Sequence, residues 1–583
     1  MSDQKNLLIA IVLSLAILLG FQFLYEMPRT RQQQALQQQT EATQPGAPPG
    51  TGTTAPPAAQ TPGAQTNAPT SAAPAAAGPV DRASVLAQSP RIKIDTPRLM
   101  GSIALTGGRV DDVVLKDYRE AAEPDSPNIV VLSPIGTHDP YYGEFGWVAE
   151  QAGVKLPDAD TAWTADRTVL TPAQPVTLRW DNGDGLRFER VYSVDDNFMI
   201  MVTQRVANNS GKALTLYPFA LVLRTNTPTV LGYYILHEGM LGVLDGTLTE
   251  IAYSKLAEQG KVEKASTGGW LGITDKYWLA AVIPDQQEAV KARFTHTLRD
   301  RVDRYQADYL GAGRTVEAGA AAEASARLFA GAKEVRLLDH YKDSLGIARF
   351  DLGVDFGWFY FLTKPIFYVL DFLYRQIGNF GLAILVLTVA VKGLFFPLAN
   401  KSYKAMSKMK ALQPEMTKLR ERFGDDRAKI NQEMMALYKR EKVNPAAGCL
   451  PVVVQIPVFF SLYKVLFITI EMRHAPFYGW IRDLSSPDPT TIFNLFGFIP
   501  WSPPSMLMIG AWPLLMGVTM LLQQRLNPQP ADPIQAKMFM ALPIVFTVML
   551  ANFPSGLVIY WAWNNLLSIA QQWTIMRRAG VKA

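Results

Sequence analysis

Long unbroken apolar runs mark the two ends of this chain, and short alternating ones fill the stretch between. The first run, Leu7 to Leu24, is long enough to span a bilayer as a helix. A cleaved signal peptide ends in a small-x-small site, whereas this run ends Phe23-Leu24-Tyr25-Glu26-Met27-Pro28, so residues 1–28 read as an uncleaved transmembrane anchor. Residues 29–80 are rich in Gln, Ala, Pro, Thr and Gly with almost no large apolar side chains. Such a segment cannot bury enough surface to fold and reads as a disordered linker.

From Asp81 to about His340 the period shortens to two. Val176-Thr-Leu-Arg-Trp180, the turn Asp181-Asn-Gly-Asp-Gly185, Leu186-Arg-Phe-Glu-Arg-Val-Tyr192 and the run Phe198 to Val206 set the spacing of an all-β sandwich over 81–340. Aromatics interrupted by Lys364, Pro365 and Asp371 then fill Trp358 to Tyr374, which predicts an amphipathic helix over 356–376 lying at a membrane interface. A buried helix of the β domain is the alternative reading of this segment.

Gly381 to Leu398 is apolar apart from Lys392 and falls in a second span over 378–400. Residues 401–445 are polar, with Met406, Met409, Leu412, Met416 and Leu419 at helical spacing, a break at Phe423-Gly-Asp-Asp426, and Ile430, Met434 and Leu437 resuming the period. This is the pattern of a helical hairpin. Four further apolar segments, Leu450 to Ile470, Met506 to Leu522, Met538 to Leu550 and Ser555 to Trp573, fill 446–583. The hairpin carries twelve Lys and Arg against six Asp and Glu through Lys442, which places it in the cytoplasm. Six spans with both termini cytoplasmic follow. The fold expected is a polytopic α-helical membrane protein with a large periplasmic β-sandwich domain and a cytoplasmic helical hairpin.

Composition agrees with a membrane protein carrying a large soluble insert: 583 residues, 48% hydrophobic and 18% charged. A net charge of +5 is too small to point to nucleic acid, and the single Cys449 excludes intramolecular disulfides. His138, His237, His296 and His340 are scattered without metal-ligand spacing, and no nucleotide motif or catalytic triad is evident, so neither a cofactor nor a catalytic residue is expected.

The candidate chemistry lies at Lys392. A charge in an apolar span costs roughly 3 kcal/mol, so it normally faces a partner, a wet cavity or a substrate. Snorkelling is the competing account, but Lys392 lies eight residues before Asn400, about 12 Å at helical rise, and a lysine stem covers only part of that. Thr388 one turn earlier, Gln455 near the start of the third span, and Asn564 and Asn565 in the sixth could line a wet groove with it.

Seven stretches carry a family resemblance: Leu412-Gln-Pro, Arg420-Glu-Arg-Phe-Gly-Asp-Asp426, Gln432-Glu-Met-Met-Ala-Leu-Tyr438, Lys442-Val-Asn-Pro445, Gln455-Ile-Pro457, Asp483-Leu484 and Phe553-Pro-Ser-Gly-Leu557. In these the chain resembles the YidC/Oxa/Alb family of membrane protein insertases in its Gram-negative form. The resemblance implies a five-helix core enclosing a hydrophilic groove, open to cytoplasm and lipid, that receives nascent membrane proteins and releases them into the inner-membrane bilayer, alone or with the Sec translocon. It assigns the substrate groove to Lys392, Thr388, Gln455, Tyr560 and Trp561. The family usually has arginine where Lys392 stands, so the point charge is kept without the bidentate fork. Trp561 stands where tyrosine is common and keeps the aromatic surface without the hydroxyl. The basic hairpin, with Arg420, Arg422, Asp425, Asp426 and Arg427 near its tip, is implied to dock a ribosome or targeting receptor, with membrane lipids as further partners and no nucleic acid read directly. A secondary transporter with an intramembrane cation, and a carbohydrate-binding β domain, are the alternative classes.

Overall fold

The computed structural model describes residues 81–230, 236–357, 359–424, 426–444, 450–497, 499, 501, 503–504, 508–527 and 533–578. The anchor expected over 1–28, the linker over 29–80 and Asp425 lie outside the described residues.

Strands from Arg91 to Ala332 form two antiparallel-dominated sheets, one of eleven strands and one of nine. In the nine-stranded sheet Met199–Asn208 lies between Leu186–Val194 and Ala321–Ala332, with Val202 opposite Tyr192 on one side and Ala326 on the other. In the eleven-stranded sheet Leu214–Thr225 lies between Tyr141–Ala149 and Val302–Leu310. Period-two alternation is what makes this possible. Along Leu186–Val194 every second residue is buried, so one face enters the core and the other does not. The preceding turn closes as its residue types require: Asp181 accepts from the Gly183 N–H and Asn182 from those of Asp184 and Leu186. Gly185 has φ +87°, and a Cβ there would meet the Asn209 backbone at 2.8 Å.

Twelve α-helices accompany the sheets among the described residues. Short helices α1 (Arg82–Leu86) and α2 (Tyr253–Gln259) belong to the β domain, and α3 (Val335–Ser344) follows its last strand. The helical region comprises α4 (Tyr360–Ile377), α5 (Phe380–Leu394), α6 (Phe396–Ala411), α7 (Gln413–Phe423), α8 (Arg427–Arg440), α9 (Leu450–Ile468), α10 (Ala511–Leu526), α11 (Pro533–Leu550) and α12 (Ser555–Arg578). One continuous core runs from Phe329 of the sandwich through Phe367 of α4 and Leu387 of α5 to Leu466 of α9.

Helix α4 has one buried side and one exposed side. Thr363, Ile366, Phe367, Leu370 and Asp371 form a buried stripe at helical spacing, whereas Phe361, Val369 and Phe372 are exposed on the other side. Its buried side is fastened to α3 and the Phe350–Gly353 turn by Lys364, whose ammonium lies 2.7 Å from both Asp339 and Asp351, and by an Arg336–Asp371 ion pair.

The second span expected over 378–400 is not one straight helix. It breaks at Phe395, and α5 and α6 diverge by 69°. Pro397 in the first turn of α6 has no N–H to continue the α5 ladder, and its ring would clash with the carbonyl four residues back. Among the described residues no single helix is long and apolar enough to cross a membrane, and the bent α5–α6 pair meets that requirement by length and composition only. In the fourth apolar segment the described helix runs from Ala511 to Leu526, past the apolar run's end at Leu522.

The first arm of the hairpin expected over 401–445 is not continuous: residues 401–411 belong to α6 and a break at Leu412 precedes α7, whereas the break at Phe423 to Asp426 falls where the sequence places it. Gly424 ends α7 at positive φ, and the Asp426 carboxylate caps α8 by accepting from the Lys429 N–H at 3.0 Å. Contact between the two helices is slight: Met416 and Leu437 are buried, Tyr438 donates to the Met416 sulfur, and Arg440 pairs with Glu415 at 3.1 Å.

Candidate functional site

Helices α5, α6, α9, α10, α11 and α12 surround a cavity of about 560 Å³. Lys392 is the only charged residue among those that line it. The rest of the wall is aliphatic or aromatic, interrupted by a polar band of Gln455, Gln523, Gln524, Asn527, Asn564, Asn565 and Ser568. Ile456 of α9 and Phe539 of α11 belong to the lining and are 46% and 40% exposed.

Lys392 sits in the last turn of α5, just before the Pro397 break, with its ammonium directed at α12 and α9. It donates to the Ser568 hydroxyl at 2.8 Å and reaches Gln455 Oε1 at 3.5 Å. Gln455 then donates through its amide nitrogen to the Tyr560 hydroxyl and to Asn564 Oδ1, both at 3.0 Å. The Ser568 hydroxyl itself donates to the Asn564 carbonyl at 2.8 Å. The result is one polar network tying three helices together. On α12 the periodicity explains the convergence, since Tyr560, Asn564 and Ser568 are successive positions one turn apart.

No carboxylate pairs with Lys392 among the described residues, and two of its three N–H donors are used by neutral acceptors. An ammonium held only by neutral groups keeps its net positive charge, and walls of low polarity screen it less than bulk water would.

Of the residues expected at the groove, Lys392, Gln455, Tyr560 and Trp561 are brought together. Trp561 packs on Phe459 at 4.6 Å and on Phe546 at 5.8 Å, forming a greasy flank beside the polar band. Thr388 is not part of the lining: it is buried, and its hydroxyl donates to the Ile384 carbonyl one turn back at 2.7 Å. One turn from Lys392 is close along α5, but the hydroxyl is satisfied within its own helix. Ser568, Gln523 and Gln524 have a place in the wall that the sequence reading did not give them. The available signal for Ser568 was its helical spacing from Tyr560 and Asn564, and for the glutamines their position at the polar end of an apolar run.

At the hairpin tip Arg420 is half-buried and Arg422 exposed, and the Arg422 guanidinium and the Lys429 ammonium lie 5.5 and 5.3 Å from the Phe423 ring centre. Asp426 is engaged as the α8 cap. The Arg427 side chain and Asp425 lie outside what is described.

Comparison with known proteins accounts for the whole chain. Residues 91–369 match the YidC periplasmic domain, and residues 372–582 match the 60Kd inner membrane protein family. A membrane protein insertase YidC of Methylobacterium radiotolerans is 54% identical, covering 100% of this chain and 96% of that one. Those of Bradyrhizobium diazoefficiens and Granulibacter bethesdensis are 53% and 50% identical, covering 100% and 99% of this chain and 97% and 98% of theirs. Among solved structures, an active YidC insertase with its first transmembrane domain resolved matches at 14% identity and TM-score 0.35, covering 83% of this chain and 92% of that one. A galactose mutarotase-like protein from Lactobacillus casei matches at 11% identity and TM-score 0.29, covering 41% of this chain and 100% of that one. These two superpositions are too loose to carry an argument, and the weight rests on the full-length relatives. These full-length relatives are named membrane protein insertases, a non-enzymatic function, and that function stands in place of the secondary-transporter alternative. The chain belongs to the YidC family of membrane protein insertases of the inner membrane, with a periplasmic β-sandwich domain ahead of its helical region.

Proposed function

We propose that the cavity around Lys392 is the groove through which this insertase passes its substrates, and that the unpaired ammonium receives the polar or acidic parts of an incoming segment. One observation carries the reading: Lys392 is the sole charge in the cavity wall and has no carboxylate partner among the described residues. Insertion makes and breaks no covalent bonds. The barrier is the passage of a hydrophilic segment through hydrocarbon, which is steep because unsatisfied polar groups there cost several kcal/mol each. A polar-banded cavity reaching into the bilayer shortens that passage, and the amides of Gln455 and Asn564 can exchange their mutual hydrogen bonds for bonds to the substrate backbone. Apolar segments leave along the aromatic flank of Trp561, Phe459 and Phe546 into lipid.

In this reading the described helices supply five spans, α5–α6 as a bent one, and α9, α10, α11 and α12. The anchor over 1–28 makes six, with both termini cytoplasmic. Helix α4 lies at the periplasmic interface with Phe361 and Phe372 toward lipid. The α7–α8 hairpin extends into the cytoplasm, where its basic surface offers a docking site for the ribosome or a targeting receptor. Nascent membrane proteins are the clients, delivered with or without the Sec translocon.

An insertion assay on proteoliposomes tests the groove. Lys392→Arg should retain insertion, Lys392→Ala should reduce it several-fold, and Lys392→Glu should abolish it for clients with acidic translocated tails while affecting neutral tails less. Equal insertion by all three variants would remove the electrostatic role.

A further inference from the structure

Helix α9 carries a single charge, and the groove does not use it. Leu450–Ile468 reads LPVVVQIPVFFSLYKVLFI, in which Gln455 lines the cavity and Lys464 does not. Lys464 stands four residues before the end of α9, where a lysine stem reaches water at little cost. It does not take that course. Its side chain is 13% exposed, and the ammonium lies 2.7 Å from Asp355, in the connection between the β domain and α4.

The surroundings of Asp355 are shaped to receive this lysine. The His237 and Gly357 N–H groups donate to its carboxylate at 3.2 and 3.0 Å, which fixes where its oxygens point. Gly357 has φ +70°, and a Cβ there would meet the Lys464 Cε at 2.7 Å, so a residue without a side chain leaves room for the stem.

Spacing connects this pair to the groove. Gln455 and Lys464 are nine residues apart, about 2.5 turns, and so lie on opposite faces of α9. On one face Gln455 meets Lys392, Tyr560 and Asn564. On the other, Lys464 is held by Asp355, and one turn further Phe467 has the Lys276 ammonium 3.9 Å from its ring centre. A rotation of α9 that withdrew Lys464 from Asp355 would carry Gln455 away from Lys392. The length between the two points is stiffened by rings: Phe459, Tyr463 and Phe467 follow at one-turn spacing with centres 6.3 and 5.8 Å apart, and Phe459 meets Trp561 of the groove flank at 4.6 Å.

We infer that Lys464 is a positioning residue for insertion: its ion pair with Asp355 fixes the rotation of α9 and thereby holds Gln455 against Lys392. An ion pair suits this task because breaking it leaves a charge in an apolar place, so the rotation it sets has few alternatives. The inference rests on the cavity being the insertion groove.

Variants of the full chain in proteoliposomes test it. Lys464→Met keeps an unbranched stem without the charge, and Asp355 retains its two N–H donors. In a Cys449→Ser background, spin labels at Phe460→Cys and Leu566→Cys, both exposed and outside the cavity lining, report the distance between α9 and α12. Lys464→Met should shift that distance and lower insertion of a client with an acidic translocated tail several-fold, and Lys464→Arg should restore both. Adding Lys464→Met to Lys392→Ala should lower insertion by less than about twofold further, because the two residues act through one network. Lys464→Gln, shorter and neutral, takes the place of Lys464→Met if that variant does not reconstitute, with the same outcomes read. An unchanged distance, or unchanged insertion at a shifted distance, overturns the positioning role. So does a loss that multiplies in full with that of Lys392→Ala, which would assign Lys464 to general stability. Normal insertion by Lys392→Ala alone removes the groove reading and this role with it, whatever the distance shows.

Discussion

At the scale of single residues, charge and position separate. Lys392 contributes the charge, whereas Ser568 and Gln455 fix where it sits. Ser568→Ala removes a buried acceptor and should cost about 1–2 kcal/mol of stability, measurable by thermal unfolding in detergent. Insertion should fall less than for Lys392→Ala, because the ammonium remains in the cavity. If Ser568→Ala is as damaging to insertion as Lys392→Ala, the orientation of the charge governs and not its presence. Lys392 was legible because a lone charge in an apolar run is costly wherever the run folds. Thr388 was not: its spacing places it near Lys392, but its hydroxyl could equally return to its own helix, and only the packed structure decides between the two.

At the scale of elements, the hairpin and the bent second span behave differently. Helices α7 and α8 touch through few side chains, chiefly Met416, Leu437, Tyr438 and the Glu415–Arg440 pair, and an exposed ion pair contributes little. Shortening the tip by removing Phe423 to Arg427 should therefore leave the unfolding temperature of the cavity helices nearly unchanged, while insertion of ribosome-delivered clients falls several-fold. Loss of the folded core in that deletion would make the hairpin a structural brace. Helix periodicity and the Phe423–Asp426 break were readable because Gly and Asp act locally as stop and cap. The 69° bend after Leu394 was missed because the hydrophobicity of Gly381 to Leu398 continues through it. Pro397 held the information, but a proline in an apolar run marks a bend or merely a boundary until neighbouring helices fill the space around it.

At the scale of the whole molecule, the β domain is seated on the helical region through buried polar contacts. Lys464 of α9 pairs with Asp355 at 2.7 Å, the Lys276 ammonium lies 3.9 Å from the Phe467 ring centre, and Glu471 accepts from the Val335 N–H at the start of α3 at 3.0 Å. Burial, with Glu334 and Asp371 nearby, raises the Glu471 carboxyl from its ordinary 4.5 to about 7. The folded chain therefore holds this proton more tightly than the unfolded chain. The contribution is complete below about pH 4.5 and is lost as the pH rises through about 7. The unfolding temperature in detergent should fall between those limits, and Glu471→Gln should flatten most of the slope. Asp308, raised by burial to about 6, leaves a residual slope of the same sign. An unchanged slope in Glu471→Gln would assign the pH dependence to other groups.

Local patterning along the chain settles the kinds of element and their order: alternation made the sandwich, long apolar runs made the helices around the cavity, and local Gly, Pro and Asp chemistry set many of their ends. Each is a property of neighbours along the chain, where period and capping act. Tertiary structure alone decided which polar residues share a cavity, that Ser568 and not Thr388 meets Lys392, and that α4 divides its faces between the β domain and its surroundings. It also decided that the sandwich core continues into the helices without interruption. Those outcomes depend on how helices rotate and cross, and the residues that set the rotation are far apart in sequence, as Lys392, Gln455 and Ser568 are.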